Sequence, residues 1–351
     1  MNYKIVDGKK LKALQSEDCN YVFNKVNGTM MTWGKTMDDD PEYSKVGPFI
    51  ADIEVTTICH GINGVVCPFC YKSNTPNGKY MSFEKFKEVF DCIFKTKVLT
   101  QIAFGTDSQA KGNPDLWKIM DYTRENGVIP NITVAQIDQE TANELAKRCG
   151  AVAVSHYHDN EACYNSIQYL HNAGMKQINI HQLISKETYS SVMRLLQDMK
   201  TDERLKHVRA IVFLSLKTKG RGEVFHRMPD EQFEEIVKFC IDNNIGYGFD
   251  SCGAVKFMLV AKKLGIDAKV KDLIEPCESS LFSTYINTEG DFYPCSFAEK
   301  TEAFPVGIRV GEGVDFLKDV WFNERTVAFR KKLIVNKCST TGCRMCPIYN
   351  V

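Results

Sequence analysis

From residue 49 the apolar positions of the chain switch repeatedly between two periods. Runs rich in β-branched residues, apolar at every second position, alternate with stretches whose apolar residues recur every three or four. The first kind of run predicts strands at 49–57, 98–105, 128–135, 151–157, 175–184 and 208–216. The second predicts helices at 82–95, 114–126, 138–149, 159–173, 186–200 and 229–243. The punctuation agrees. Ser82 stands where an N-cap belongs, and Gly127, Gly150 and Gly174 stand where helices stop. Six strand–helix repeats in a row imply a parallel sheet with helices outside it. Eight would close a full barrel, so six, with a further strand at 245–250, predict an α/β chain built on a partial (β/α)6 TIM-like barrel.

The flanks break this rhythm. Residues 1–48 form a lead-in too short for a sizeable core of its own, with a β-hairpin predicted at 21–33 around Asn27 and Gly28. After residue 250 comes a small cysteine-rich α+β domain. It has a helix over 254–264, a hairpin over 284–293 turning at Glu289 and Gly290, and a helix over 315–332. The expected division is 1–48, 49–250 and 251–351.

Composition narrows the function classes. The 351 residues are 44% hydrophobic, and 44 Lys and Arg balance 44 Asp and Glu. Zero net charge gives no global support for a nucleic-acid partner. The N-terminus lacks the apolar stretch of a secretory signal, and no apolar run approaches the ~18 residues that span a bilayer. A cytoplasmic protein without membrane association is the expectation.

The 14 cysteines change the picture most. A disulfide framework does not suit a large chain without an export signal. Cys92, Cys149, Cys163 and Cys240 fall in helical patterns and read as small buried hydrophobes, while Cys19 says nothing. The others cluster. Cys59, Cys67 and Cys70 have the spacing C-x7-C-x2-C on the loop leaving the first barrel strand, the edge where such folds build active sites. Structural zinc takes four protein ligands, and His60 is awkwardly adjacent to Cys59. Three thiolates on a four-iron cluster would leave one iron open to a ligand. Cluster, zinc site and unrelated thiols are the three readings of these residues.

The strand, the three-cysteine loop and the six-fold alternation together resemble the radical S-adenosylmethionine (SAM) superfamily. The usual loop there is C-x3-C-x2-C with an aromatic residue before the third cysteine, a place Phe69 holds. The longer first gap, with the stretch Gly61 to Val66, is a departure. The resemblance implies a [4Fe–4S] cluster on Cys59, Cys67 and Cys70, with SAM chelating the open iron. Reductive cleavage of SAM would give a 5′-deoxyadenosyl radical that abstracts hydrogen from substrate. The family's Gly-Gly-Glu-Pro-like run is replaced here by Gly105, Thr106 and Asp107, which become candidates for SAM contact. Ser155, Asn179 and Gln182, at the ends of strands four and five, are further candidates, though ordinary backbone hydrogen bonding is an equal reading of each.

The C-terminal part resembles the SPASM/twitch extensions of that superfamily. Cys277, twelve residues, Gly290, four residues and Cys295 match the opening of their signature; Cys338, Cys343 and Cys346 complete a shortened form. The resemblance implies one auxiliary [4Fe–4S] cluster on Cys277, Cys295, Cys343 and Cys346, with Cys338 as an alternative ligand or spare and zinc as the plain competitor. Cys252 is a candidate hydrogen-atom donor to a substrate radical, with accessory ligation or packing as alternatives. His156 to His158, at a barrel mouth, read as acid–base groups or a solvated loop. Lys217 to Arg221 read as a carboxylate or phosphate site or a solvated basic loop. The implied function is modification of a peptide or protein, served by a low-potential electron donor such as flavodoxin or ferredoxin. Oxidation of a small metabolite and a non-catalytic zinc protein are the alternatives.

Overall fold

A computed structural model describes residues 2–349. The lead-in holds more than a hairpin. Strands β1 (Lys4–Asp7), β2 (Leu11–Gln15), β3 (Asn20–Asn24) and β4 (Met30–Trp33) form a four-stranded antiparallel sheet. Its inner face carries Leu14, Tyr21 and Phe23 onto Phe49, Val98 and Ile129, residues at the starts of the barrel strands. Tyr21 donates to the Val98 carbonyl (2.7 Å), and the fully buried Lys12 ammonium donates to that of Leu99 (2.7 Å). Burial lowers Lys12 to about 8. This sheet is therefore the floor of the barrel, at the end opposite the strand termini that build the site.

The barrel strands are β5 (Ile50–Glu54), β6 (Gln101–Gly105), β7 (Ile129–Val134), β8 (Ala151–His156), β9 (Ile178–Ile184), β10 (Ala210–Ser215) and β11 (Tyr247–Phe249). Helices α1 (Phe83–Phe94), α2 (Leu116–Glu125), α3 (Gln139–Arg148), α4 (Asn160–Asn172), α5 (Tyr189–Thr201) and α6 (Asp230–Asp242) follow the first six strands in turn. Neighbouring strands pair in parallel throughout. The six-fold alternation read from the sequence is thus present, with β11 as a seventh strand. Ser82 caps α1 by accepting from the Lys85 N–H (3.2 Å).

Alternation sorts each strand into two faces. Ala51, Ile53 and Val55 on the first strand join Ile102, Phe104, Ile132, Val134, Val152 and Val154 in the main core under the helices. Their neighbours Ile50, Asp52 and Glu54 therefore face the lumen, as do Ala103, Gly105, Thr133, Ala153, Ser155, Asn179 and His181, which pair across the ladder with one another. The side chains at 103, 105, 151, 153 and 248 are small, Ala or Gly.

Helices α7 (Ala254–Lys263) and α8 (Asp267–Val270) lead to β12 (Ser283–Ile286), β13 (Asp291–Tyr293) and β14 (Ile308–Arg309). β12 pairs in parallel with β5, and β13 and β14 continue antiparallel, so one ten-stranded sheet runs from β11 to β14. β11 and β12 do not pair, which leaves the barrel an open seam between them. The helix expected at 315–332 is two pieces. A π-helical turn, Phe316–Trp321, ends where Trp321 buries its ring and donates to the Ser44 carbonyl (2.8 Å). Asn323 then caps α9 (Glu324–Val335). Cys92, Cys149, Cys163 and Cys240 are packed in the core. No helix of the described residues is long and apolar enough to cross a membrane.

Candidate active site

The loop after β5 carries Cys59, Cys67 and Cys70 over the lumen. Its unusual stretch is a miniature hairpin. Ile62 and Val65 exchange backbone hydrogen bonds (3.0 and 2.9 Å), and Asn63 and Gly64 form the turn with φ of 51° and 81°. Both central residues at positive φ are what an Asn-Gly hairpin turn supplies. Ile62 is buried against Ala135, Tyr157 and Ala162, and Asn63 Nδ2 donates to Asp159 (2.8 Å). The stretch is thus pinned to the loops after β7 and β8.

Three further groups fix the loop. Phe69 packs edge-on against Tyr157 (5.9 Å between centroids) and Phe225 (5.8 Å). Cys59 Sγ lies 3.9 Å from Ser108 Oγ. Arg221, from the loop after β10, donates through Nε to the Cys67 carbonyl (2.8 Å), through both terminal nitrogens to that of Asn74 (3.1 Å each), and through its backbone N–H to that of Cys70 (3.0 Å). Gly220 beside it has φ +57°, and a Cβ there would stand 2.8 Å from the Cys70 carbonyl oxygen. The run Lys217 to Arg221, read from the sequence as an anion site or a solvated loop, is here a strap across the cysteine loop. Replacing Arg221 by Gln removes charge-assisted bonds worth roughly 1.5–3 kcal/mol each. Chemically reconstituted Arg221→Gln is expected to retain less than half of the iron at the three-cysteine site, and Arg221→Lys to rescue little, because an ammonium lacks the fork that spans two carbonyls. Iron analysis with electron paramagnetic resonance checks this; full loading of both variants would show that the strap is dispensable.

The three thiols share one electrostatic neighbourhood. Burial pushes Cys67 up to about 12, with the charges of Cys70 and Cys59 acting the same way, and all three act on buried Tyr157. A thiol so placed becomes a thiolate only where positive charge meets it, which bound iron supplies. His60 turns aside: its Nδ1 lies 2.9 Å from Asp107 Oδ2. Asp107 is buried and also accepts from the Lys111 N–H (2.8 Å), and Thr106 Oγ1 donates to the Asp107 carbonyl (3.2 Å). Gly105 pairs with Glu54 across the β5–β6 ladder.

Of the strand-end candidates, Ser155 and Asn179 face the lumen, but Gln182 does not. Gln182 lies on the outer face, where its Oε1 is 2.6 Å from His156 Nδ1; His156 Nε2 is 2.9 Å from Asn160 Oδ1. His156 is thus a buried, doubly hydrogen-bonded side chain under α4. His181, which the sequence did not single out, faces the lumen instead; burial lowers it to about 4, so it is neutral near pH 7.

The second cysteine group lies at the open seam. Cys252, Cys277, Cys295 and Cys346 line one cavity of about 270 Å³ together with Asp52, Lys217 and Asp250. Each feels its neighbours: Cys277 and Cys295 act on Cys252, and Cys346 acts on both Cys277 and Cys295. The Cys346 sulfur accepts from the Ile348 and Tyr349 N–H groups (3.5 and 3.3 Å). Cys343 and Cys338 do not line the cavity. They close a tight loop of their own, in which the Cys338 N–H donates to the Cys343 carbonyl (2.9 Å). The structure thus gathers Cys252, not Cys343, with the other three. Among the described residues no three His, Cys, Asp or Glu side chains converge on a single metal ion. Each iron of a cubane takes its own thiolate, so its ligands need not converge on one point, and these four line one cavity.

Between the two groups, Tyr71 follows Cys70 and packs on Phe297, which lines the seam cavity (4.4 Å between centroids). Lys72 pairs with Glu54 (3.2 Å) and Glu299, tying the loop to the C-terminal part.

No protein-family model matches the chain, and no curated protein matches it. Solved structures do. The chain shares a fold with SuiB of Streptococcus suis bound to the precursor peptide SuiA, with a TM-score of 0.70 over 97% of this chain and 93% of that one at 12% identity. SuiB bound to S-adenosylmethionine gives a TM-score of 0.64 over 96% and 91%, also at 12% identity.

Proposed function

We propose that this chain is a radical SAM enzyme that modifies a peptide or protein, with one [4Fe–4S] cluster on Cys59, Cys67 and Cys70 and an auxiliary [4Fe–4S] cluster on Cys252, Cys277, Cys295 and Cys346. One observation carries the reading: a strapped three-cysteine loop leaves the first strand of a partial barrel, and four further cysteines line one cavity at the barrel's open seam. The shared fold supports it, since SuiB has been seen with S-adenosylmethionine and with a precursor peptide.

Bound there, the first cluster would supply the electron that cleaves SAM. The chain's own residues do the rest. Arg221 and the Ile62–Val65 hairpin hold the loop rigid. Phe69, Tyr157 and Phe225 wall the cluster side with aromatic surface and exclude water. Gly105, Thr106, Asp107, Ser155 and Asn179 offer small or polar surface to SAM, with His60 orienting the Asp107 carboxylate. Neutral His181 can donate or accept one hydrogen bond in the lumen without bringing charge. An electron donor such as flavodoxin or ferredoxin belongs to this reading.

Protein purified without oxygen is expected to bind about eight irons per chain. With SAM and a strong reductant it should release 5′-deoxyadenosine, faster with a peptide substrate. Stoichiometric zinc without iron, or no 5′-deoxyadenosine from fully loaded protein given candidate peptides, would overturn the reading.

A further inference from the structure

A larger cavity, of about 410 Å³, holds none of the cysteines. Its walls come from the segment 71–79 that returns from the first cysteine loop and from the turn between β12 and β13. Two further loops bring Lys219 and Lys300. The base of the cavity is an ionic network. The Lys72 ammonium donates to the Tyr285 hydroxyl (2.9 Å) and pairs with Glu54 (3.2 Å) and Glu299. Glu54 also accepts from the Thr288 hydroxyl (2.8 Å), and Glu299 from the Asn287 amide (3.1 Å). Glu54, Asn287, Thr288 and Glu299 are all buried. The third lining carboxylate, Glu289, pairs with Lys79.

Every carboxylate of the lining is thus engaged, while two of its four ammonium groups are not. Lys219 is half-buried and donates only to the Phe297 and Glu299 carbonyls (3.4 and 2.6 Å). Lys300 is exposed and has no partner among the described residues. An ammonium offers three donors and no acceptor, so both lysines keep hydrogen-bonding capacity in hand. The side-chain amides of Asn74 and Asn77 are also free among the described residues. Four lysines against three glutamates leave the lining one positive charge in excess. Donors are left over and acceptors are used up, so the group that completes the cavity is an anion. The volume exceeds what a single inorganic anion fills, and the wall residues Thr57, Ser73, Thr75 and Gly78 are small and mostly polar, as suits peptide backbone. We infer that this cavity binds a carboxylate of the substrate peptide on Lys219 and Lys300, beside the loop that carries the first three cysteines. The inference rests on the proposed function and deepens it, by making the substrate an acidic peptide.

Binding tests this apart from turnover. The full chain, loaded with iron and kept without oxygen, is titrated calorimetrically at low salt near neutral pH. The probes are acetyl-Gly-Glu-Gly-amide, acetyl-Gly-Gln-Gly-amide and inorganic phosphate. The two peptides differ in one charge, and the Glu peptide is expected to bind roughly tenfold more tightly. At unchanged iron content, Lys300→Met should lose part of that difference and Lys219→Met with Lys300→Met all of it, while Lys219→Arg keeps it. If Lys219→Met does not fold, Lys300→Glu decides: this side chain holds nothing in place, and reversing its charge should bring the Glu peptide down to the Gln level. Added salt should weaken the Glu peptide and leave the Gln peptide level. Equal binding of the two peptides, or native-like binding by the double variant or by Lys300→Glu, would overturn the inference. Phosphate bound more tightly than the Glu peptide, with the same lysine dependence, would overturn the peptide source and make this a free-phosphate site. Parallel assay of 5′-deoxyadenosine separates the two ideas. Lysine-dependent binding of the Glu peptide without SAM cleavage sinks the proposed reaction and leaves the site; cleavage with equal binding of both peptides does the reverse.

Discussion

Replacing Cys59, Cys67 or Cys70 by Ala is expected to abolish the proposed SAM cleavage and to remove about four of the roughly eight irons per chain expected from two clusters, leaving the seam site loaded. The expectation follows from geometry and charge together. The three thiols occupy one strapped loop, and His60, adjacent to Cys59, has its Nδ1 on Asp107 (2.9 Å). Loss of one thiolate leaves two protein ligands for a cubane that already lacks a fourth. The fold should survive: the loop's backbone is fixed by Arg221 and by the Ile62–Val65 hairpin independently of the thiols. Far-UV circular dichroism, iron analysis and 5′-deoxyadenosine assay on the same preparation check it. Retained cleavage in any of the three variants would remove these cysteines from the reaction.

The second large effect separates two cysteines that the sequence ranks the other way. Cys252→Ala is expected to lose the auxiliary irons, about four per chain, and to retain SAM cleavage uncoupled from substrate modification. Cys343→Ala is expected to retain both clusters. The physical ground is the seam cavity, which Cys252 lines and Cys343 does not. Iron content with Mössbauer or electron paramagnetic resonance spectra distinguishes the variants. The reverse pattern would restore Cys343 as ligand and return Cys252 to its reading as a hydrogen-atom donor.

These residues show what the sequence could and could not tell. The barrel was legible because its strands are β-branched and its helices end at glycines, signals that are local. The first three cysteines stand out for the same reason, falling within twelve residues on one loop. Cys252 was not, because its neighbours lie 25 to 94 residues away and only the fold brings them together. Arg221 was hidden by what it binds: carbonyl oxygens leave no mark in a sequence. Gln182 turns to the outer face of β9, beside His156. Positions 179 and 182 are an odd number apart on one strand, so they cannot both face the lumen, and the alternation of Ile178, Ile180 and Ile184 already says which one turns outward. In the lead-in, only the hairpin showed. β1 and β2 are short and mix apolar with charged residues, and Lys12 looks like a surface residue until its ammonium is found on the Leu99 carbonyl.

The pairing of β12 with β5 has one more consequence. The strand that carries the first cysteine loop is not an edge; its second partner comes from beyond residue 250. A chain truncated there would present β5 as a bare edge, with unpaired N–H and C=O groups and an apolar face, a template for stacking against other truncated copies. The natural cut suggested by composition is therefore the one to avoid in dissecting this protein. Its unfolding should register as one calorimetric transition, with the C-terminal hairpin melting together with the barrel it completes.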